Sequence, residues 1–175
     1  FVDALTMGLS EEPISVEVCD EQHREHIRLV KENLPTLLTF ELDADSQCPD
    51  CMFIEDTSVV IGSTVVLTQP GDPSRRPEIP PVLQFWLSQK EDAGAFIKNV
   101  VEMKDYFNDS GDIPLLDGGD ILFVPDRQFY DNNPNSSEWH GDLFVGISSR
   151  TNERGAEVLR QVFKSKENID VHSVS

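Results

Sequence analysis

The sequence predicts an α/β fold in which a strand-strand-helix-strand unit occurs twice. Three observations predict it. β-rich runs come in pairs, each pair is followed by a helical segment and a further β-rich run, and the order recurs about 65 residues later. A repeat of this size suits a toroidal or propeller-like arrangement, and an ordinary mixed α/β sheet fits the same periodicity. With 175 residues the chain is long enough for one domain with a sizeable core.

A leading helix is expected over Cys19–Asn33, where Ile27, Val30 and Leu34 share a face and Pro35 ends the run. A strand is expected over Thr36–Leu42. Met52–Ile54, Ser58–Ile61 and Thr64–Thr68 are β-rich, with a Gly62-Ser63 turn between the last two. Pro70–Pro81 reads as a proline-rich loop, Val82–Lys90 as a helix and Ala95–Val101 as a strand. The second round has strands at Asp120–Val124 and Leu143–Ser148, joined by a polar segment, 125–142, that is long for a hairpin and reads as a mobile insertion. Asn152 offers a cap for a helix whose stripe is Ala156, Leu159, Val162 and Phe163, and Ile169–Val174 reads as the closing strand.

The 32 acidic and 14 basic side chains give a formal charge of -18. That argues against nucleic acid or an anionic membrane as a partner, because both require basic surface. No apolar run approaches the roughly 18 residues of a membrane span. Three cysteines are too few for a disulfide framework and favour a reducing, cytoplasmic compartment.

Cys48-Pro49-Asp50-Cys51 has the spacing of half a zinc site or a redox pair. A structural zinc needs four ligands, and the remaining cysteine and histidines are scattered. A redox pair belongs at a helix start, whereas this one precedes a β-rich run. The acids Asp50, Glu55 and Asp56 carry more. On a strand Phe53 and Glu55 project one way and Ile54 and Asp56 the other, so a bulge near Asp56 would bring both carboxylates to one pocket. Alone, this is a polar strand end. Pro70–Arg76 adds two arginines, whose guanidinium forks grip carboxylates, and Leu116-Asp117-Gly118-Gly119-Asp120 adds an acid beside two glycines. With Ser149-Arg150-Thr151-Asn152, the pattern offers acids for a cationic group and arginines for an anionic one. An amino acid with a guanidinium side chain needs both.

FIEDTSVV (53–60), TQPGDPSRRPE (68–78), LDGGDILF (116–123) and FVGISSRTNERGAEVL (144–159) closely resemble the dimethylarginine dimethylaminohydrolases, of the pentein superfamily. The resemblance runs in order from about Ala4 to Phe163. It implies a five-fold pseudosymmetric propeller of ββαβ modules, of which 1–175 would be a single, C-terminally truncated domain with roughly three of five modules. It implies hydrolysis of N-methylated arginine to citrulline and methylamine or dimethylamine, regulating nitric oxide synthesis, with no required cofactor or metal. By motif, Asp50 and the backbone of Leu5 would bind the substrate α-amino group, and Phe53 would line the pocket. Glu55 and Asp56 would hold the guanidinium, Arg75 and Arg150 the α-carboxylate, and Asp117 would orient the catalytic histidine. In the family a cysteine thiolate attacks the guanidinium carbon and a histidine serves as acid and base. Neither has a counterpart here: Cys19, Cys48 and Cys51 lie outside the nucleophile's motif, and His172 falls short of the histidine's position. Another guanidine-modifying pentein such as an arginine deiminase, or a truncated non-catalytic one that binds arginine-like ligands, fits the same motifs. Pro77, Pro80 and Pro81 are expected to delay the helix after Ser-Arg-Arg.

Overall fold

The computed structural model describes residues 15–43, 45, 47–91, 96–107 and 112–175, and leaves out the side chain of Lys166. The chain divides into two compact units, Phe1–Met52 and Phe53–Ser175. Leu5 lies outside the described residues.

In the first unit Ser15 caps helix α1 (Val16–Asn33), its hydroxyl accepting from the Val18 N–H at 3.4 Å, so the helix starts three residues before its expected beginning at Cys19. Arg28 pairs with Glu25 and Glu32 along the surface at 2.6 Å each. The strand expected over Thr36–Leu42 is absent: these residues are mostly exposed coil. Their alternation is β-like, but among the described residues of this unit no strand lies alongside to complete a ladder, and an unpaired strand has no hydrogen bonds of its own. Cys48 and Cys51 bracket a tight turn in which the Cys51 N–H reaches the Cys48 carbonyl at 3.1 Å. Cys48 and Asp50 are buried.

The second unit holds the repeat. Met52–Ile54 does not form a strand. A 3-10 turn, Ile54–Thr57, takes its place, closed by the Thr57 hydroxyl on the Ile54 carbonyl at 2.7 Å. Strand β1 (Ser58–Ile61) turns at Gly62, φ 60°, into antiparallel β2 (Thr64–Leu67). Asp72 caps a 3-10 turn, Pro73–Glu78, and helix α2 (Ile79–Glu91) follows. Pro80 and Pro81 sit in its first turn, where no N–H is needed. The chain returns as β3 (Asn99–Glu102), parallel to β2. The expected start at Ala95 falls among residues not described.

The second round runs β4 (Ile121–Pro125), α3 (Arg127–Asn132), β5 (His140–Gly146), α4 (Glu153–Lys166) and β6 (Asn168–Val174), with β4 and β5 antiparallel and β5 and β6 parallel. Helix α3 lies in the segment read as a mobile insertion. Asp126 caps it, and the Tyr130 hydroxyl accepts the His140 N–H at 2.9 Å. Two three-stranded sheets result, β1-β2-β3 and β4-β5-β6.

The core explains the stacking. Val65 and Leu67 of β2 face Val82 of α2. Val59, Ile61 and Val66, on the other face of that sheet, join Val158, Leu159, Val162 and Phe163 of α4, which in turn cover Leu143, Val145, Ile169 and Val171 of the second sheet. Helix α4 therefore serves both sheets. Glu167, just beyond α4, ties the modules again by accepting from the Ser63 N–H, Ser63 hydroxyl and Thr64 hydroxyl. Among the described residues no helix is long and apolar enough to cross a membrane.

Candidate functional site

Antiparallel pairing sets the site. Ser58 pairs with Leu67 and Ile121 with Val145, so the entry to each first strand lies beside the exit from each second strand. The entries carry the acids Glu55-Asp56 and Asp117–Asp120, and the exits carry Arg75 and Arg150. Each module thus delivers acid and arginine to the same end of its sheet.

Hydrogen bonds to backbone carbonyls join the loops. The Thr68 hydroxyl donates to the Asp56 carbonyl at 2.7 Å, and the Leu116 N–H to the Gln69 carbonyl at 2.9 Å. Both modules meet at Asp56: its Oδ1 accepts the Gly119 N–H at 2.8 Å and its Oδ2 accepts Arg75 Nη1 at 2.5 Å. Gly118 lets the segments touch, because a Cβ there would lie 2.0 Å from the Glu55 carbonyl oxygen. Gly71 has the same role against Arg150, whose backbone would be 2.5 Å from an added Cβ.

Arg75 is almost wholly buried. Nε and Nη2 fork onto Glu78 at 3.1 and 2.8 Å, Nη1 holds Asp56, and Nη2 also reaches the Phe53 carbonyl at 3.2 Å. Burial alone would lower its pKa, but the bonds to Glu78 and Asp56 outweigh it and hold the cation above the ordinary arginine value.

Asp117 is buried and accepts the Gly71 N–H at 3.1 Å on Oδ1, with Arg150 Nε 3.2 Å from Oδ2. Its own N–H donates to the Thr151 hydroxyl, which donates to Asp120 Oδ2 at 2.5 Å. Ser148 donates to the same oxygen at 2.8 Å, fixing the loop that carries Arg150. Desolvation pushes the Asp117 carboxyl upwards, opposed by the Gly71 N–H and Arg150 and reinforced by Asp56. Folded Asp117 therefore holds its proton to higher pH than unfolded Asp117, and stability falls as pH rises through the raised value. Asp117→Asn keeps an acceptor for Gly71 and removes the charge. We expect thermal melts to show no gain below the ordinary aspartate range, about pH 3.9, and a higher Tm than wild type at pH 7. A lower Tm at pH 7 would show that the Arg150 pair outweighs burial.

Other expected residues are placed as follows. Phe53 is half-buried, and Glu55 is exposed with no ion pair among the described residues. The bulged strand expected to bring Glu55 and Asp56 together is replaced by the 3-10 turn, which exposes Glu55 and turns Asp56 inwards. Asp50 is buried in the first unit. His172 pairs with Asp142 at 2.6 Å and stacks on Phe144, with Leu122 exposed in the facing position of the sheet. Among the described residues no group of three or more His, Cys, Asp or Glu side chains is arranged for a metal ion. Sequence reasoning missed Glu78 and Asp120. The Arg75–Glu78 spacing of three is the available signal for the first, and the Leu116–Asp120 motif for the second.

No protein-family model matches the chain. It is 33% identical over 124 residues to the bovine protein DDAH2, covering 71% of this chain and 34% of that one. It is 31% identical over 126 residues to N(G),N(G)-dimethylarginine dimethylaminohydrolase of Streptomyces coelicolor, covering 72% and 38%. The chain thus spans about a third of the length of these curated relatives. Among solved structures, a dimethylarginine dimethylaminohydrolase from Pseudomonas aeruginosa complexed with citrulline superposes with TM-score 0.64 at 22% identity, over 96% of this chain and 56% of that one. The N-terminal domain of a cyanobacterial arginine dihydrolase, bound to its substrate, does so with TM-score 0.58 at 20% identity, over 92% and 48%. By sequence the chain is similar to dimethylarginine dimethylaminohydrolases, and by fold it is similar to the solved arginine-modifying enzymes named above.

Proposed function

We propose that this chain forms the guanidinium-recognition part of a five-module pentein hydrolase that converts N-methylated arginine to citrulline and methylamine or dimethylamine. The observation that carries the reading is Asp56, oriented by the Gly119 N–H and Arg75 from opposite sides, beside the exposed carboxylate of Glu55. Two carboxylates hold a planar guanidinium through charge-assisted hydrogen bonds and keep it cationic, hence electrophilic at carbon. Arg150, half-exposed on its loop, is the better placed of the two arginines for a substrate carboxylate, because Arg75 already serves Glu78, Asp56 and Phe53.

Bond-making is assigned to a thiolate and an acid–base histidine of the whole protein. Cys19, Cys48 and Cys51 all precede the second unit, and its histidines His140 and His172 are not partners of Asp117. Asp117 would steady the histidine. The reading places the enzyme in the cytoplasm, where removal of methylarginine would regulate nitric oxide synthesis.

Calorimetric titration tests the reading. Methylarginine should bind and citrulline, neutral at the same position, should bind more weakly. Asp56→Asn should weaken methylarginine by about one to two decades, the range of a charge-assisted hydrogen bond, while leaving citrulline nearly unchanged. Equal binding of both ligands by wild type would overturn guanidinium recognition. Unmethylated arginine binding at least as tightly as methylarginine would favour the deiminase-like reading.

A further inference from the structure

We infer that Glu78 is a positioning residue for guanidinium recognition, acting through Arg75 on Asp56. The inference rests on the proposed function and adds to it a residue that never touches the ligand.

The geometry begins with the turn that carries both residues. Asp72 accepts the Ser74 N–H at 2.9 Å, Pro73 opens the 3-10 turn, and Pro77 sits between Arg75 and Glu78. In 3-10 geometry residues three apart eclipse one another, so Glu78 stands directly over Arg75. Both are buried, and the carboxylate takes Nε and Nη2 as a two-pronged fork. With those atoms held, the guanidinium plane is set and Nη1 is presented to Asp56 Oδ2. Without the fork, Arg75 could rotate away from Asp56, and a single N–H from Gly119 would leave that carboxylate free to turn.

Charge gives Glu78 a second effect. Arg75 and Asp56 alone would form a neutral pair and cancel the negative potential that a cationic ligand needs. Glu78 makes the cluster a net anion, and burial limits screening of that charge. The two effects act together: Asp56 is aimed and remains attractive to a cation.

The test compares arginine in its N-methylated form with citrulline, which differ in charge at the recognised group, by calorimetry on the protein. Glu78→Gln preserves size and one acceptor but removes the charge. We expect arginine affinity to fall about tenfold and citrulline affinity to change less than about twofold. Because the aiming effect travels through Asp56, Glu78→Gln should change the arginine-to-citrulline ratio less in an Asp56→Asn background than in wild type. Parallel weakening of both ligands, or an undiminished additive loss in that background, would overturn the inference by reducing Glu78 to a structural residue. If Glu78→Gln fails to fold, Glu78→Asp keeps the charge but shortens the fork. Its arginine-to-citrulline ratio should fall by about threefold, and an unchanged ratio would equally overturn the inference. Wild type that does not prefer arginine to citrulline would sink the guanidinium reading itself, and this inference with it.

Discussion

Arg75→Ala is expected to destabilise the protein by about 3–5 kcal/mol, the usual result of removing one partner from a buried ion cluster. Glu78 and Asp56 would be left facing each other, one fully and one largely buried, with their shared cation gone. The Phe53 carbonyl would also lose its donor, loosening entry into the 3-10 turn at Ile54. Urea denaturation of wild type and variant measures the loss. Arg75→Lys should recover only part of it, because an ammonium cannot span the fork on Glu78 and also reach Asp56 in a fixed plane. A loss below about 1 kcal/mol for the alanine variant would mean that the cluster is hydrated and behaves as a surface pair.

Gly118→Ala should have the next largest effect. The added Cβ would sit 2.0 Å from the Glu55 carbonyl oxygen, 3.1 Å from its carbonyl carbon and 3.3 Å from the Asp56 Cα. These are backbone atoms, so no rotamer relieves the collision. The segments before β1 and β4 must separate, and the Gly119 N–H then leaves Asp56. We expect roughly 1–3 kcal/mol of destabilisation, the range for overpacking, with arginine affinity reduced beyond what the stability loss explains. Gly146→Ala is the control: its Cβ would meet the Asp120 carbonyl oxygen at 3.5 Å, an ordinary contact. Equal losses for both variants would mean that the close approach at Gly118 is not what holds the two segments.

The repeat was legible in the sequence because its elements are locally encoded. Ser58–Ile61 and Thr64–Leu67 are β-rich and separated by a glycine that adopts φ 60°. The α4 stripe is buried along its whole length, as its helical spacing requires. Where β propensity lacked a partner, the reading failed. Thr36–Leu42 has the alternation of a strand but no ladder beside it among the described residues. Met52–Ile54 has the apolar character, but the Thr57 hydroxyl and Arg75 turn its end into a 3-10 coil. Propensity describes what a segment tolerates, and pairing decides what it becomes.

The same division applies to the site. By themselves the residues determined its chemistry, namely acids before the first strand of each module, arginines after the second, and glycines where loops cross. Tertiary structure decided the pairings. Arg75 pairs with Asp56, 19 residues earlier, and with Glu78. Arg150 keeps a half-exposed position beside Asp117. The physical reason is that a charge's partner depends on distance, burial and orientation, and these exist only once β1 and β2, and then β4 and β5, have brought separated loops to one end of the fold.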